Sequence, residues 1–159
     1  MKKIAFFTLA QSLLLSFTAS AVDYSIPIEN CKKSVDIVLN QDYELFKQLY
    51  APLPKDMDQS IVKGMIARKH NNYTKKQYLG IHNFTIVGTE VLEDAKNSIY
   101  QTSQKNALKY GYTDELWVNY TFTTSKIFLG KKKDNVTIKG KCKFGQVDGK
   151  WLMVNLLRS

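Results

Sequence analysis

The sequence predicts an α+β fold in which N-terminal helices pack on a strongly curved, mostly antiparallel sheet, giving a cone-like shape. Three observations predict it. Apolar residues recur at helical spacing in the first half of the chain and switch to strict alternation in the second. Asp148-Gly149 separates two alternating runs, and this is the dipeptide that a two-residue hairpin turn favours. Cys31 falls on the apolar stripe of the first helix and Cys142 on the apolar side of a late strand, so a bridge between them would pin helix to sheet.

The chain opens with a segment of another kind. Residues 1–21 read as a cleavable signal peptide: Lys2 and Lys3 form a charged start, residues 4–17 are uncharged, and Ala19-Ser20-Ala21 supplies the small residues a signal peptidase requires. The apolar run is too short, and too broken by serine and threonine, to span a bilayer of about 30 Å as a permanent helix. No cysteine follows it to carry a lipid. Residues 22–159 are therefore expected to be one exported domain with no stable membrane anchor, located in the periplasm or secreted. The compact leader looks bacterial.

Within that domain, Ile28, Cys31, Val35, Val38 and Leu39 mark the apolar face of the first helix, opposite Glu29, Lys32, Lys33 and Asp36. Asn40-Gln41-Asp42 breaks it, and Asp42 is placed to cap a second helix over 43–49. Ala51-Pro52-Leu53-Pro54 ends that helix, because proline cannot continue the ladder. A third helix starts at Asp58 or Ser60, with Ile61, Met65 and Ile66 on its apolar side, and fades near Asn71-Asn72.

Period two takes over from there. Residues 81–92 predict a long strand with Gly88 at a bend or bulge, and residues 98–108 a further strand and loop. Residues 115–128 alternate, with Leu116, Val118, Tyr120 and Phe122 on one face and Trp117, Asn119, Thr121 and Thr123 on the other. Gly130 to Asn135 reads as a polar turn. In 136–147, Val136, Ile138, Cys142 and Phe144 face inward and Thr137, Lys139, Lys141 and Lys143 outward. After the Asp148-Gly149 turn, residues 151–157 form the returning strand.

Two cysteines in an exported chain favour a disulfide over two free thiols. A Cys31–Cys142 bridge would close a loop of about 110 residues and, by the chain-entropy argument, stabilise by roughly 4–5 kcal/mol. Two inert buried thiols and a metal pair are the alternatives. No metal is expected, since there is no CxxC and only two histidines occur.

The formal charge of +9 falls to about +7 without Lys2 and Lys3, and could favour acidic partners such as phospholipid headgroups, lipopolysaccharide or acidic proteins. A lysine-rich solvated surface explains the same charge. Arg68 and Arg158 are the only arginines, and arginine carries most specific phosphate and base contacts, so no nucleic acid is expected. The sequons at Asn72, Asn83, Asn119 and Asn135 are read as accidents of composition in a bacterial protein.

Helices first, then a long bent strand, then the closing hairpin FGQVDGKWLMVNLL (144–157): in this order of elements the chain resembles the nuclear-transport-factor-2-like superfamily of cone-shaped domains. The resemblance spans residues 28–157 and rests on no diagnostic motif. A cystatin-like sheet wrapped on one helix is the nearest competitor. The resemblance implies a pocket between sheet and helices, used in some members for isomerase or dehydratase chemistry with an Asp or His base and a Tyr or acid donor. It also implies dimerisation through an exposed sheet face, and in some relatives a place in secretion machinery.

His82, Tyr43, Tyr120 and Asp36 are the candidate pocket residues, because a neutral histidine or a raised carboxylate could take a proton beside a tyrosine donor. A cap, a surface or a core role is the simpler reading of each. His70, in the Arg68-Lys69-His70 run, suits the negative end of the third helix. The carboxylates enforce no converging pair. There is no glycine-rich phosphate loop and no GxSxG elbow, so no cofactor is expected. Trp117, with Asn119 and Thr121, is the candidate interface on the outer face of its strand, and a homodimer is the expectation it raises. The expected function is a small exported, non-catalytic domain that binds a small ligand or a protein partner. The alternatives are a pocket enzyme using His82 or Asp36 as base, and a subunit of a cell-envelope assembly.

Overall fold

Two aspartates each start a helix. Asp42 accepts from the Leu45 N–H at 2.9 Å and Asp58 from the Ile61 N–H at 2.9 Å, each satisfying an amide that a helix start leaves without a partner. The computed structural model describes residues 23–53, 55, 57–92, 105, 107 and 111–157. The expected leader at 1–21 and nearly all of the expected 98–108 strand lie outside the described residues; Lys105 and Ala107, the two described within 98–108, are helical and not strand.

Among the described residues the bounded helices are α1 (Ser25–Leu39), α2 (Tyr43–Leu49) and α3 (Gln59–Asn71), the last continued by one π-helical turn, Asn72–Lys76. Helix α1 starts a turn before the expected Ile28. Pro27 lies in that first turn, where its missing N–H costs nothing because no partner precedes it. In α3 the buried residues are Val62 and Ile66, one turn apart, while Ile61 is exposed. The expected apolar side is therefore rotated by one residue. Packing against α1 sets that rotation, and the His70 ring nitrogen lies 3.2 Å from the Val38 carbonyl across the same contact.

The strands β1 (His82–Val91), β2 (Glu115–Phe128), β3 (Lys131–Val147) and β4 (Lys150–Met153) form an open antiparallel sheet in the order β1-β2-β3-β4. Strand β1 carries two register shifts, one at Asn83 in a left-handed conformation and one just before Gly88, and such bulges bend an edge strand. The lysines at 131–133 are not a polar turn. The turn is only Leu129-Gly130, and Phe128 pairs directly with Lys131. Strand β4 is shorter than expected and ends at Met153. Beyond it Asn155 replaces the strand: its Oδ1 accepts from the Lys143 N–H at 2.6 Å and its Nδ2 donates to the Lys141 carbonyl at 3.3 Å.

Leu116, Val118, Tyr120 and Phe122 of β2, with Ile138, Cys142 and Phe144 of β3 and Met153 of β4, point to the helices and form the core with Cys31, Ile37, Val38, Val62 and Ile66. The β2 and β3 residues are those that alternation predicted to face inward, except that Val136, also expected inward, is only partly buried against the same core. The Cys31–Cys142 disulfide joins the middle of α1 to β3 with 5.7 Å between Cα atoms. At the far end of the sheet Tyr73 and Tyr78 stack at 5.3 Å, and both rings meet Phe122 edge-on. Among the described residues no helix is long and apolar enough to cross a membrane.

Candidate functional site

Where α2 ends, the chain runs beside the free edge of β4. Tyr50 forms a parallel bridge with Met153, and the Ala51 N–H donates to the Met153 carbonyl at 2.9 Å. Pro52 makes this possible, since it cannot continue a helix and disfavours helical geometry in the residue before it. The same stretch walls a cavity of about 190 Å³ between α2, α3 and the segment after β4.

Phe46, Leu53, Met57, Val62, Met65, Met153 and Leu156 are among its apolar lining. Three of these are methionines, whose flexible thioethers fit ligands of irregular shape. The polar groups on the wall already serve each other: the Tyr50 hydroxyl donates to the Asn155 carbonyl at 2.6 Å. The Tyr50 ring stacks on Phe46 at 4.0 Å, and burial, then the neighbouring Tyr120, push its phenol well above the ordinary 10.0. The described lining contains no histidine, carboxylate, serine or cysteine. Beyond Met65 and Leu156 the cavity meets an open groove that shares those residues with Val154 and Asn155 and adds Arg68, Lys69, Asn71, Asn72 and Lys76. An apolar interior thus adjoins a cationic rim.

The four residues expected to share a pocket do not line this cavity, and they lie apart. Tyr120 is fully buried in the core, its ring 4.7 Å from that of Phe84. Tyr43 is half-buried at the start of α2, stacked on Phe46 at 6.1 Å, with the ammoniums of Lys47 and Lys63 over its ring. His82 begins β1 opposite Thr123 with its side chain exposed, and Asp36 is exposed on α1. The proton-transfer geometry expected of His82 or Asp36 beside a tyrosine is not formed.

Trp117, Asn119 and Thr121 do share the outer face of β2, opposite Lys143, Lys141 and Lys139 of β3. The expected exposure of Trp117 does not hold, for the residue is 5% exposed. The Lys141 ammonium sits 3.2 Å from its ring centroid and that of Lys143 5.1 Å away, so the lysine ladder covers the indole. Glu115, 4% exposed, accepts from the Trp117 indole N–H, from the Tyr112 hydroxyl at 3.2 Å and from the Lys143 ammonium at 3.2 Å. This acid balances the cations that cover the tryptophan. Asn119 and Thr121 are half-buried beside it.

Fold and site together define an α+β domain with three helices on an antiparallel sheet and an apolar cleft at the open edge of that sheet. The chain matches no protein-family model, and comparison with curated proteins and with solved structures finds no match to either. Among the described residues no cluster of His, Cys, Asp and Glu could hold a metal ion.

The sequence offered one signal for the cleft that was read otherwise. The Ala51-Pro52-Leu53-Pro54 stretch reads as a helix stop, and Ala51, Pro52 and Leu53 of it also line the cleft. The methionines at 57, 65 and 153 carry no spacing that would join them, because the chain between them exceeds half the protein.

Proposed function

We propose that this is an exported binding domain of the nuclear-transport-factor-2-like kind, whose cleft at the β4 edge takes a small amphipathic anion. The ligand's apolar body fills the methionine-lined cavity and its anionic end meets Arg68 and Lys76 at the rim. The observation that carries this reading is the continuity between the two regions through Met65, Val154, Asn155 and Leu156. Pockets for drug-sized ligands enclose about 300–1,000 Å³, so a cavity of about 190 Å³ suits a short acyl chain or a single ring. A described lining without histidine or carboxylate, whose one tyrosine hydroxyl already donates to the Asn155 carbonyl, favours holding a ligand over turning it over. The disulfide is compatible with an oxidising compartment outside the cytosol.

Octanoate is the probe. Titrated into the protein, it is expected to shift the methyl NMR signals of Met57, Met65 and Met153, while acetate leaves them in place. Met65→Trp, which fills the cavity, should abolish the shifts. Arg68→Gln should weaken octanoate by several-fold and leave the neutral analogue octanol unaffected. Methyl signals that do not respond, or that respond equally in Met65→Trp, would remove the reading.

A further inference from the structure

The sheet contains two hairpin turns of the same geometry, built from different chemistry. Asp148 and Gly149 lie between β3 and β4 with φ of 48° and 75°, and Leu129 and Gly130 lie between β2 and β3 with φ of 49° and 74°. Positive φ at both central positions defines the turn that matches strand twist, and it favours Asn, Asp or Gly in the first place. Asp148 obeys this preference. Leu129 does not, and it receives no packing in return, being 85% exposed beside Phe128 at 66%. A branched apolar residue held left-handed in solvent is costly on both counts. Strain of this kind at an exposed position points to a contact made outside the chain.

The surroundings identify that contact. Lys126, Lys131, Lys132 and Lys133 flank the two apolar residues, against the single acid Asp134, whose carboxylate is held by the Ser125 hydroxyl and by Lys132 at 2.9 Å. Between Ser125 and Asn135 the net charge is therefore +3. Lys75 and Lys76 stand near the base of the same end, because Tyr78 bridges Lys126 and the Ile127 N–H donates to the Gln77 carbonyl at 2.9 Å.

We propose that this hairpin tip is a membrane-surface wedge, with Phe128 and Leu129 entering the acyl region of a bilayer and the flanking lysines lying among anionic phospholipid headgroups. Two apolar residues on a projecting turn make a wedge, not the flat or concave patch that a protein partner would cover. Lysines can follow the apolar residues down, keeping stems in the interface and ammoniums at headgroup level. Two residues bury little area, so the attachment is reversible and depends on the anionic charge. The wedge is separate from the cleft and stands or falls without it.

The test is sedimentation of the full chain with phosphatidylcholine vesicles, alone or containing phosphatidylglycerol, together with hydrogen exchange at residues 126–133. The exchange readout is local to the tip, so the apolar residues 1–21 cannot mimic it. Wild type should favour the anionic vesicles by about tenfold, lose that preference in high salt, and show slowed exchange at the tip when bound. Leu129→Asn suits the turn, so its melting temperature should equal or exceed that of wild type. Its binding should nonetheless fall by about tenfold, the value of one buried leucine side chain. Binding of Leu129→Asn equal to wild type would overturn the wedge. So would exchange at the tip unchanged by anionic vesicles, which would leave Phe128 and Leu129 to a protein partner.

Discussion

Trp117 donates its indole N–H to the carboxylate of Glu115, two residues earlier on the same face of β2, and both lie beneath the lysines of β3. Side chains two apart on a strand share a face. Here that face is buried by cations and an acid on what alternation alone marks as the polar side.

Glu115→Ala should therefore destabilise more than an ordinary surface substitution. It leaves the Trp117 N–H without this acceptor and Lys143 without its counter-charge, at a cost of about 2 kcal/mol. Glu115→Gln retains an acceptor for the indole and should cost about half as much. Urea denaturation monitored by tryptophan fluorescence checks both values, and a loss under about 0.5 kcal/mol for the alanine variant would show that the cluster is not coupled to folding.

Gly145 pairs with Glu115 across the ladder, and the Tyr112 ring lies directly on it; a Cβ there would be 2.3 Å from Tyr112 Cγ. Gly145→Ala should cost about 1–3 kcal/mol through this overlap. In a Tyr112→Ala background the ring overlap is gone and only the approach to the residue-112 Cβ at 2.7 Å remains, so the same change should cost less than it does beside the tyrosine. A double-mutant cycle by urea denaturation measures the difference.

The disulfide closes a loop across a sequence separation of 111, joining α1 to β3. Replacing Cys31 and Cys142 together by alanine should lower stability by about 4–5 kcal/mol on the chain-entropy argument. The denaturation midpoint of the oxidised protein should fall on adding reductant, and that of the double variant should not move.

Tyr50 governs part of the alkaline limit. Its phenol is raised well above 10.0 in the folded chain, first by burial and then by Tyr120. The native state therefore holds a proton that the unfolded chain releases. The stability this represents is complete below about pH 10 and declines as pH rises toward the native value, by about 1.4 kcal/mol per pH unit. Tyr50→Phe should lose about 1 kcal/mol at neutral pH, because the bond to the Asn155 carbonyl goes. Above pH 10 its stability should fall less steeply than that of wild type, as urea midpoints across that range will show.

What was legible in the sequence was local. Asp42 and Asp58 revealed helix starts because a cap is decided by a side chain and an amide three residues on. The alternation at 116–122 revealed the inner face of β2 because strand side chains have period two. The rotation of α3 onto Val62 was not legible, since Ile61, Val62, Met65 and Ile66 fit a helical stripe in either setting and contact with α1 selects one. Nor was the burial of Trp117, which depends on lysines from another strand reaching across the register. The cleft was hidden for the same reason, its walls coming from residues 46–65 and 153–156.

By itself the sequence determined the order of α1 to α3 and β1 to β4, the caps at Asp42 and Asp58, the Asp148-Gly149 hairpin and the apolar positions of Cys31 and Cys142. These follow from backbone geometry and from patterns a few residues long. Tertiary structure alone decided that β4 stops at Met153 and hands its hydrogen bonds to Asn155, that Trp117 lies under Lys141, and that His82, Asp36, Tyr43 and Tyr120 stay apart. The physical reason is common to all three. Each depends on which distant groups arrive at one place, and only packing of the whole chain brings them there.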